Sequence, residues 1–182
     1  MALEDFDFIK KDPEKLEHIG RHLDGSHTAG SHFVQGAFEN AEELIEFALK
    51  HIRDYNGERM EVELDLDRII GHDSLIPLVE VPEGTIKTQE PRGQSGYMVN
   101  VVRGVDKRPT KHMVIVAGPL EDKRKHGFYT IFPGINAPPV PVTDEKLATW
   151  GLTGKALENA KRLNVESMGF WEKYALVDDR IR

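Results

Sequence analysis

The most constraining feature of the sequence is a change of hydrophobic period near Asn56-Gly57. Residues 40–54 place apolar side chains at helical spacing, with Asn40 as the N-cap and Glu43 three residues later. Residues 60–67, MEVELDLD, instead alternate strictly between apolar and charged side chains, which is typical of a half-buried strand. The chain therefore combines helix with sheet.

Short extended runs follow this alternating segment, separated by Gly, Pro and charged turns at spacings typical of an antiparallel meander. Pro77 cannot donate to a strand ladder, so its run is expected at a sheet edge. The strongest strand signals are YMVNVVRG and HMVIVAG. The predicted extended runs are 75–81, 85–88, 97–104, 112–118 and 128–132.

The remaining segments flank this sheet region. Residues 13–23 begin with a proline suited to the first helical position and predict a second helix. Residues 134–143 hold three prolines and predict an extended linker. Residues 144–163 predict helix broken near Gly151 to Gly154, and the aromatic residues at 170, 171 and 174 predict a segment that docks on apolar surface.

The predicted fold class is α+β, with N-terminal helices packed on an antiparallel sheet of four to six strands and a helical C-terminal tail. The length of 182 residues predicts a single domain over 1–182. Residues 13–135 form its helix-plus-sheet core, and residues 136–182 form the Pro-rich linker and the C-terminal helical extension.

Composition excludes several kinds of chemistry. The chain contains no cysteine, which removes disulfides, thiolate nucleophiles, zinc fingers and iron–sulfur clusters. It has no secretory signal pattern and no apolar run of membrane-spanning length, so we expect a soluble, cytoplasmic protein with no membrane partner. No phosphate loop, dinucleotide-binding motif or serine hydrolase elbow is present, and no cofactor is expected.

Charge is distributed unevenly along the chain. The net charge of -7 argues against a general nucleic-acid binder. Residues 84–133, however, carry nine Lys and Arg against four Asp and Glu, a net +5, which leaves -12 on the remainder. The predicted sheet region is therefore a candidate surface for anions.

Histidines supply the first candidate site. His18 and His22 are four residues apart on a predicted helix and share one face, and His27 and His32 follow in a small polar loop. Such a cluster is compatible with a metal site, but no carboxylate stands at a spacing that completes a familiar one. His32, beside Phe33, is also suited to proton transfer near neutral pH.

The order of His32-Phe33, a helix, an antiparallel sheet and then Thr130-Ile131-Phe132-Pro133 resembles a known group. This is the toxin-type and phage-associated ribonucleases of the barnase, EndoU, colicin and RelE-like group. The resemblance covers roughly residues 15–135. It implies metal-independent cleavage of RNA by acid/base transesterification, and it admits RNA and an immunity or regulatory protein as partners.

The resemblance also implies roles for individual residues. His32 would act as acid or base, Arg103 and Lys111 would hold the phosphate, and Thr130 would donate a hydrogen bond. Four further residues are substrate-binding candidates, the two histidines among them being reserves for the second proton transfer: Lys87, Arg92, His112 and His126.

Two other functions stay open at this stage. One is a non-enzymatic α+β binding or regulatory protein that uses a basic sheet face. The other is a metal-dependent enzyme built on the histidines at 18, 22, 27 and 32. The nuclease hypothesis requires His32, Arg103 and Thr130 to converge in one cleft, whereas the metal hypothesis requires three ligands around a common point.

Overall fold

The computed structural model describes residues 3, 6–10, 12–23, 30–92, 96–122 and 124–178. Four α-helices lie in these residues: α1 (Pro13–Leu23), α2 (Ala41–Leu49), α3 (Asp144–Ala148) and α4 (Gly154–Trp171). No helix in these ranges is long and apolar enough to cross a membrane. The strands are β1 (Asp7–Ile9), β2 (His32–Phe33), β3 (Met60–Asp65), β4 (Gly71–Asp73), β5 (Leu75–Pro77), β6 (Ile86–Arg92), β7 (Tyr97–Arg103), β8 (Arg108–Thr110), β9 (His112–Pro119), β10 (Lys125–Pro133) and β11 (Tyr174–Asp178).

The chain divides into two compact units, each assembled from two stretches of sequence. The first unit comprises Met1–Ser74 and Arg108–Asn136, and the second comprises Leu75–Lys107 and Ala137–Arg182.

The first unit is built around a four-stranded sheet in the order β1-β10-β9-β3. β1 runs parallel to β10, and the other pairs are antiparallel. The apolar faces of α1 and α2 meet this sheet because their periodic side chains are hydrophobic, as in Ile19 and Leu44, both fully buried. Alternate residues of β9, including Ile115, complete the same core.

β10 contains an irregularity that sets which side chains enter this core. Phe128 pairs with Ala117 and Thr130 with Val116, so Tyr129 is an extra residue in the ladder. Ile131 is consequently in the core, and Thr130 faces away from it by strand alternation. Thr130 and Ile131 therefore lie on opposite faces of the sheet.

A second, smaller sheet completes the first unit. Its order is β2-β4-β8, and all its pairs are antiparallel. His32 pairs with His72, and Phe33 pairs with Gly71. The sheet places two histidines side by side on adjacent strands.

The second unit contains the sheet β5-β11-β7-β6. β11 pairs parallel with β7 and antiparallel with β5, and β6 pairs antiparallel with β7. Its small core includes Ile76, Val102, Ala175 and Val177. α3 and α4 belong to the same unit and follow an extended proline-rich segment.

The α+β class is confirmed, but its predicted arrangement is wrong in part. The single antiparallel sheet is replaced by three sheets of three or four strands, two of which contain a parallel pair. The C-terminal tail is not wholly helical, because β11 adds to the centre of a sheet. The predicted helix 40–54 ends at Leu49, since residues 50–55 turn to bury Ile52 and Tyr55.

Candidate functional site

Four histidines from three elements of the first unit lie in two close pairs. His18 and His22, one helical turn apart on α1, have ring centroids 5.2 Å apart and perpendicular rings. His32 on β2 and His72 on β4 have centroids 5.2 Å apart and an interplanar angle of 31°. His22 is buried and the other three are half-buried, so the protein positions all four rings.

A hydrogen bond defines which ring nitrogen of His22 carries the proton. Its Nδ1 lies 2.7 Å from the carbonyl oxygen of Ser31, which can only accept a hydrogen bond. Nδ1 therefore carries the proton, and in the neutral ring Nε2 is the basic nitrogen. The same bond ties α1 to the residue directly before His32.

The end of β10 contacts both helix histidines. Thr130 Oγ1 lies 3.2 Å from Nε2 of His18. The Phe132 ring lies 6.0 Å from the ring of His22, at an angle of 32°. The segment Thr130–Pro133 thus forms one wall of the histidine cluster.

Gly71 allows that segment to approach His32. A Cβ at this position would lie 2.5 Å from Pro133 side-chain atoms and 2.6 Å from the backbone oxygen of His32. Any other residue would force these segments apart, since real Cβ contacts do not become so short. The His32-Phe33 pair and the Thr130–Pro133 segment therefore meet at one glycine.

Buried polar groups fix the chain just before His32. The backbone N–H of Ser74 donates to Ser31 Oγ at 3.0 Å, and Ser31 Oγ donates to Asp73 Oδ1 at 3.4 Å. The N–H of Ile135 donates to the other oxygen of Asp73 at 3.1 Å. Gly134, at φ +118°, lets its backbone lie against this carboxylate, because a Cβ there would be 2.7 Å from Asp73 Cγ.

His72 carries a notable polar atom. Its Nδ1 is buried and, among the residues that the structure describes, has no hydrogen-bond partner. A buried polar nitrogen without a partner costs free energy, so such atoms are uncommon outside functional sites. His72 is therefore a polar group of the cluster whose Nδ1 is buried without a described partner.

Lys111 and His112 lie at the start of β9, where Gly134 donates its N–H to the His112 carbonyl oxygen at 2.9 Å. Lys111 Nζ lies 3.2 Å from Asp65 Oδ1, and His112 Nδ1 lies 3.7 Å from the same oxygen. All three side chains are about half exposed. An exposed ion pair of this kind is weak, so Lys111 can exchange its partner for another anion.

His126 is buried in a different part of the first unit. Its Nδ1 lies 2.6 Å from the hydroxyl of Tyr55, and the Phe6 ring packs edge-on against it. Burial raises the pKa of Tyr55, and Tyr129 adds a smaller contribution in the same direction. This environment is that of a core hydrogen bond.

Arg103 lies in the second unit, at the centre of an ion-pair network. Its guanidinium donates to Glu90, to Asp178 at 3.3 Å and to the hydroxyl of Thr88 at 2.9 Å. The hydrogen bond from Arg103 lowers the pKa of Glu90, and the bond from Thr88 adds to the effect. The network joins β6, β7 and β11.

The two remaining predicted substrate-binding cations also belong to the second unit. Lys87 is exposed on β6, opposite Val102 of β7. The Arg92 guanidinium lies 5.9 Å from the centre of the Trp171 ring, a cation–π distance. Of the eight predicted site residues, His32, Lys111, His112, His126 and Thr130 belong to the first unit, and Lys87, Arg92 and Arg103 to the second.

The metal hypothesis gains no geometric support within the described ranges, where no three His, Asp or Glu side chains are arranged to hold an ion. His27, one of its four histidines, lies outside the described residues. Convergence of His32, Arg103 and Thr130 in one cleft stays a prediction.

Comparison with known proteins yields no relative: no protein-family model, no curated protein and no solved structure matches the chain. The functional argument therefore depends on the chemistry of the site itself.

Sequence reasoning found His18, His22, His32 and Thr130 but missed their neighbours. His72 and Asp73 stand in GHDS, a four-residue stretch with no hydrophobic period. The available signal was the glycine before two polar residues, which is typical of close backbone approach within a strand.

Proposed function

We propose that the protein is a metal-independent endoribonuclease that cleaves RNA by acid/base transesterification at the histidine cluster of the first unit. One observation carries the proposal: His32 and the Thr130–Pro133 segment, far apart in sequence, approach each other at Gly71 beside three further histidines. These are the two motifs on which the resemblance to toxin-type ribonucleases depends.

The reaction requires a base, an acid and positive charge. The base takes the proton of the 2′-hydroxyl, whose oxygen attacks the phosphorus. The bond to the 5′-oxygen breaks as the acid protonates that oxygen, leaving a 2′,3′-cyclic phosphate and a 5′-hydroxyl. Cations and hydrogen-bond donors stabilise the negative charge of the transition state.

His32 and His72 are assigned the two proton transfers. Their rings lie 5.2 Å apart on paired strands. One ring is assigned the base that takes the 2′-hydroxyl proton, and the other is assigned the acid that protonates the leaving oxygen.

Thr130 and Lys111 are assigned to the phosphate. His18 orients Thr130 through a hydrogen bond. When His18 Nε2 carries a proton and donates to Thr130 Oγ1, the Thr130 hydroxyl can donate its own proton to the phosphate. Lys111 is exposed, and its ion pair is with the exposed carboxylate of Asp65. His22 serves as a positioning residue, because its bond to Ser31 orients the chain that enters β2.

The proposal does not use the other cations that the resemblance suggested. Arg103 already donates to two carboxylates, and binding a phosphate would require it to give up these ion pairs. Arg92 packs over Trp171, and His126 is engaged by Tyr55. These residues are assigned to stability.

The test is cleavage of total RNA by the purified chain, with and without EDTA. We expect cleavage that EDTA leaves unchanged and products that end in 2′,3′-cyclic phosphate. His32→Gln and His72→Gln should each lower the rate by about 10²- to 10⁴-fold, the usual range for loss of one proton-transfer group. His51→Gln is the matched control, because His51 is exposed and bonds only to the preceding helical turn.

Two results would contradict the proposal. Cleavage that EDTA abolishes and a divalent ion restores would favour a metal-dependent enzyme. Absence of cleavage in a folded wild-type chain, shown by circular dichroism, would favour the binding or regulatory protein.

A further inference from the structure

An apolar cavity lies within the second unit, and its lining includes none of the residues assigned above to RNA cleavage. It is bounded by the proline-rich segment 138–142, by α3 and by α4, and it encloses about 320 Å³. Its lining is almost entirely hydrophobic and includes Pro138, Val142, Leu147, Trp150 and Leu163. The volume falls in the range of small-molecule sites.

Two polar clamps hold the proline-rich segment against α4. The side chain of Asn164 accepts from the N–H of Val142 at 2.9 Å and donates to its carbonyl oxygen at 3.0 Å. The indole N–H of Trp171 donates to the carbonyl oxygen of Pro138 at 3.2 Å. Asn164 and Trp171 are seven residues apart on α4, about two helical turns, so the segment spans the space between the two clamps.

Two of the α4 residues that face this space are small. Ala160 and Ser167 line the cavity on either side of Asn164. A segment fixed at both ends and containing two adjacent prolines cannot fold inward to fill the gap. The cavity is therefore a product of the clamps rather than of loose packing.

The walls of the cavity leave large apolar groups accessible. Trp150 is 51% exposed and Leu163 is 48% exposed, unusually high for side chains of this size. A ligand in the cavity would remove part of this surface from water. Burial of apolar area is the main source of affinity for such sites.

One polar group in the lining indicates the chemistry of the ligand. Ser167 is only 6% exposed, yet its side chain lines the apolar cavity. Glu166, the charged residue of the lining, is paired with Arg162 at 2.6 Å. A charged ligand would lack a counter-ion, whereas one neutral hydroxyl or carbonyl could bond to Ser167.

We propose that this cavity binds an uncharged, largely apolar small molecule of about two fused rings that carries one hydrogen-bonding group. The size follows from comparison with engineered protein cavities, in which roughly 150 Å³ accommodates benzene. The site is independent of the ribonuclease proposal, since it uses none of the same residues.

The experiment measures binding of 2-naphthol and of naphthalene to the full chain by equilibrium dialysis. We expect saturable one-to-one binding, with 2-naphthol bound about fivefold more tightly, the effect of one neutral hydrogen bond. Ser167→Ala should remove this difference while retaining binding of naphthalene. Equal affinities for the two compounds in the wild-type chain would overturn the assigned role of Ser167.

A second variant tests the cavity itself. Ala160→Phe fills the space and should weaken both compounds at least tenfold, whereas Val165→Ala, on an exposed residue outside the lining, should leave them unchanged. If Ala160→Phe does not fold by circular dichroism, the Ser167→Ala comparison decides. Absence of saturable binding by the wild-type chain would overturn the proposal. Dimerisation that Leu163→Asp abolishes would also overturn it, because it would assign the surface to a protein partner.

Discussion

At the scale of single residues, Thr130 is the group whose hydroxyl the proposed chemistry uses most directly. Thr130→Val keeps the shape of the side chain but removes the hydroxyl that bonds to His18. We expect the rate of RNA cleavage to fall by about 10²-fold, as when one transition-state hydrogen bond is lost. Steady-state kinetics on an oligonucleotide measure the effect, and Thr130→Ser should restore most of it. Full activity of the valine variant would remove Thr130 from the site.

The buried hydrogen bond between Tyr55 and His126 leads to a prediction about stability. Tyr55→Phe leaves a buried histidine nitrogen without its partner, which should cost about 1–3 kcal/mol in urea unfolding. Tyr174→Phe, on a half-buried tyrosine of the second unit, is the control and should cost less.

The pair of Tyr55 and His126 also predicts that the stability of the folded chain depends on pH. Burial raises the pKa of Tyr55 above its ordinary value of 10.0, so the folded chain favours the neutral phenol. This contribution is fully present below pH 10 and is lost as pH rises above 10 and through the raised pKa of the folded chain, because the unfolded tyrosine ionises first. The wild-type chain should therefore lose stability at alkaline pH more steeply than Tyr55→Phe. Identical alkaline profiles would contradict this account.

At the scale of elements, two glycines differ in their surroundings: Gly71 is closely packed, whereas Gly20 has open space beside it. Gly71→Ala would place a Cβ against Pro133 and His32, so it should separate β4 from the end of β10 and abolish cleavage. Gly20 lies in α1, and apart from its chain neighbours and the backbone of α1 no described residue comes within 4 Å of where a Cβ would be. Gly20→Ala should therefore stabilise the chain by about 0.5–1 kcal/mol, the difference in helix propensity. Thermal unfolding and RNA cleavage of the two variants check both statements.

Elements with a strong period were predictable from sequence. α1 begins at Pro13 and ends at Leu23 as predicted, and Asn40 caps α2 through the N–H of Glu43 at 2.9 Å. β5 lies at a sheet edge, as Pro77 requires. The break between α3 and α4 falls in the predicted glycine region.

Short elements and long-range pairings were not predictable. β2, β4 and β8 have two or three residues each, too few to show any period. β11 pairs with β5 and β7 across about 75 to 100 residues of sequence, and its segment carries no signal for that partner choice. His72 was missed for the same reason, because it stands on one of these short strands.

At the scale of the whole molecule, the charge surplus of residues 84–133 is not one surface of one unit. Lys87, Arg92, Arg103 and Lys107 belong to the second unit, whereas Arg108, Lys111, Arg124 and Lys125 belong to the first. These charges are contiguous in sequence, but the chain passes from the second unit to the first between Lys107 and Arg108. The expected anion-facing sheet therefore has to be sought separately within each unit.

The second unit should be the acid-sensitive part of the molecule. The hydrogen bonds from Arg103 and Thr88 lower the pKa of Glu90, and hydrogen bonds at the start of α3 lower that of Glu145. A carboxylate with a lowered pKa contributes stability above its unfolded pKa of about 4.5, and this contribution is lost as pH falls through the folded value. Both tryptophans, at 150 and 171, lie in this unit and report on its unfolding.

We therefore expect the urea midpoint measured by tryptophan fluorescence to fall between pH 7 and pH 3, since protonated Glu90 no longer pairs with Arg103. Glu90→Gln should lower the midpoint at pH 7 and show a shallower acid dependence, because the titrating partner is gone. Glu83→Gln, on an exposed carboxylate of the same unit, should keep the wild-type dependence. An equally steep decline in Glu90→Gln would show that other carboxylates control the acid stability of this unit.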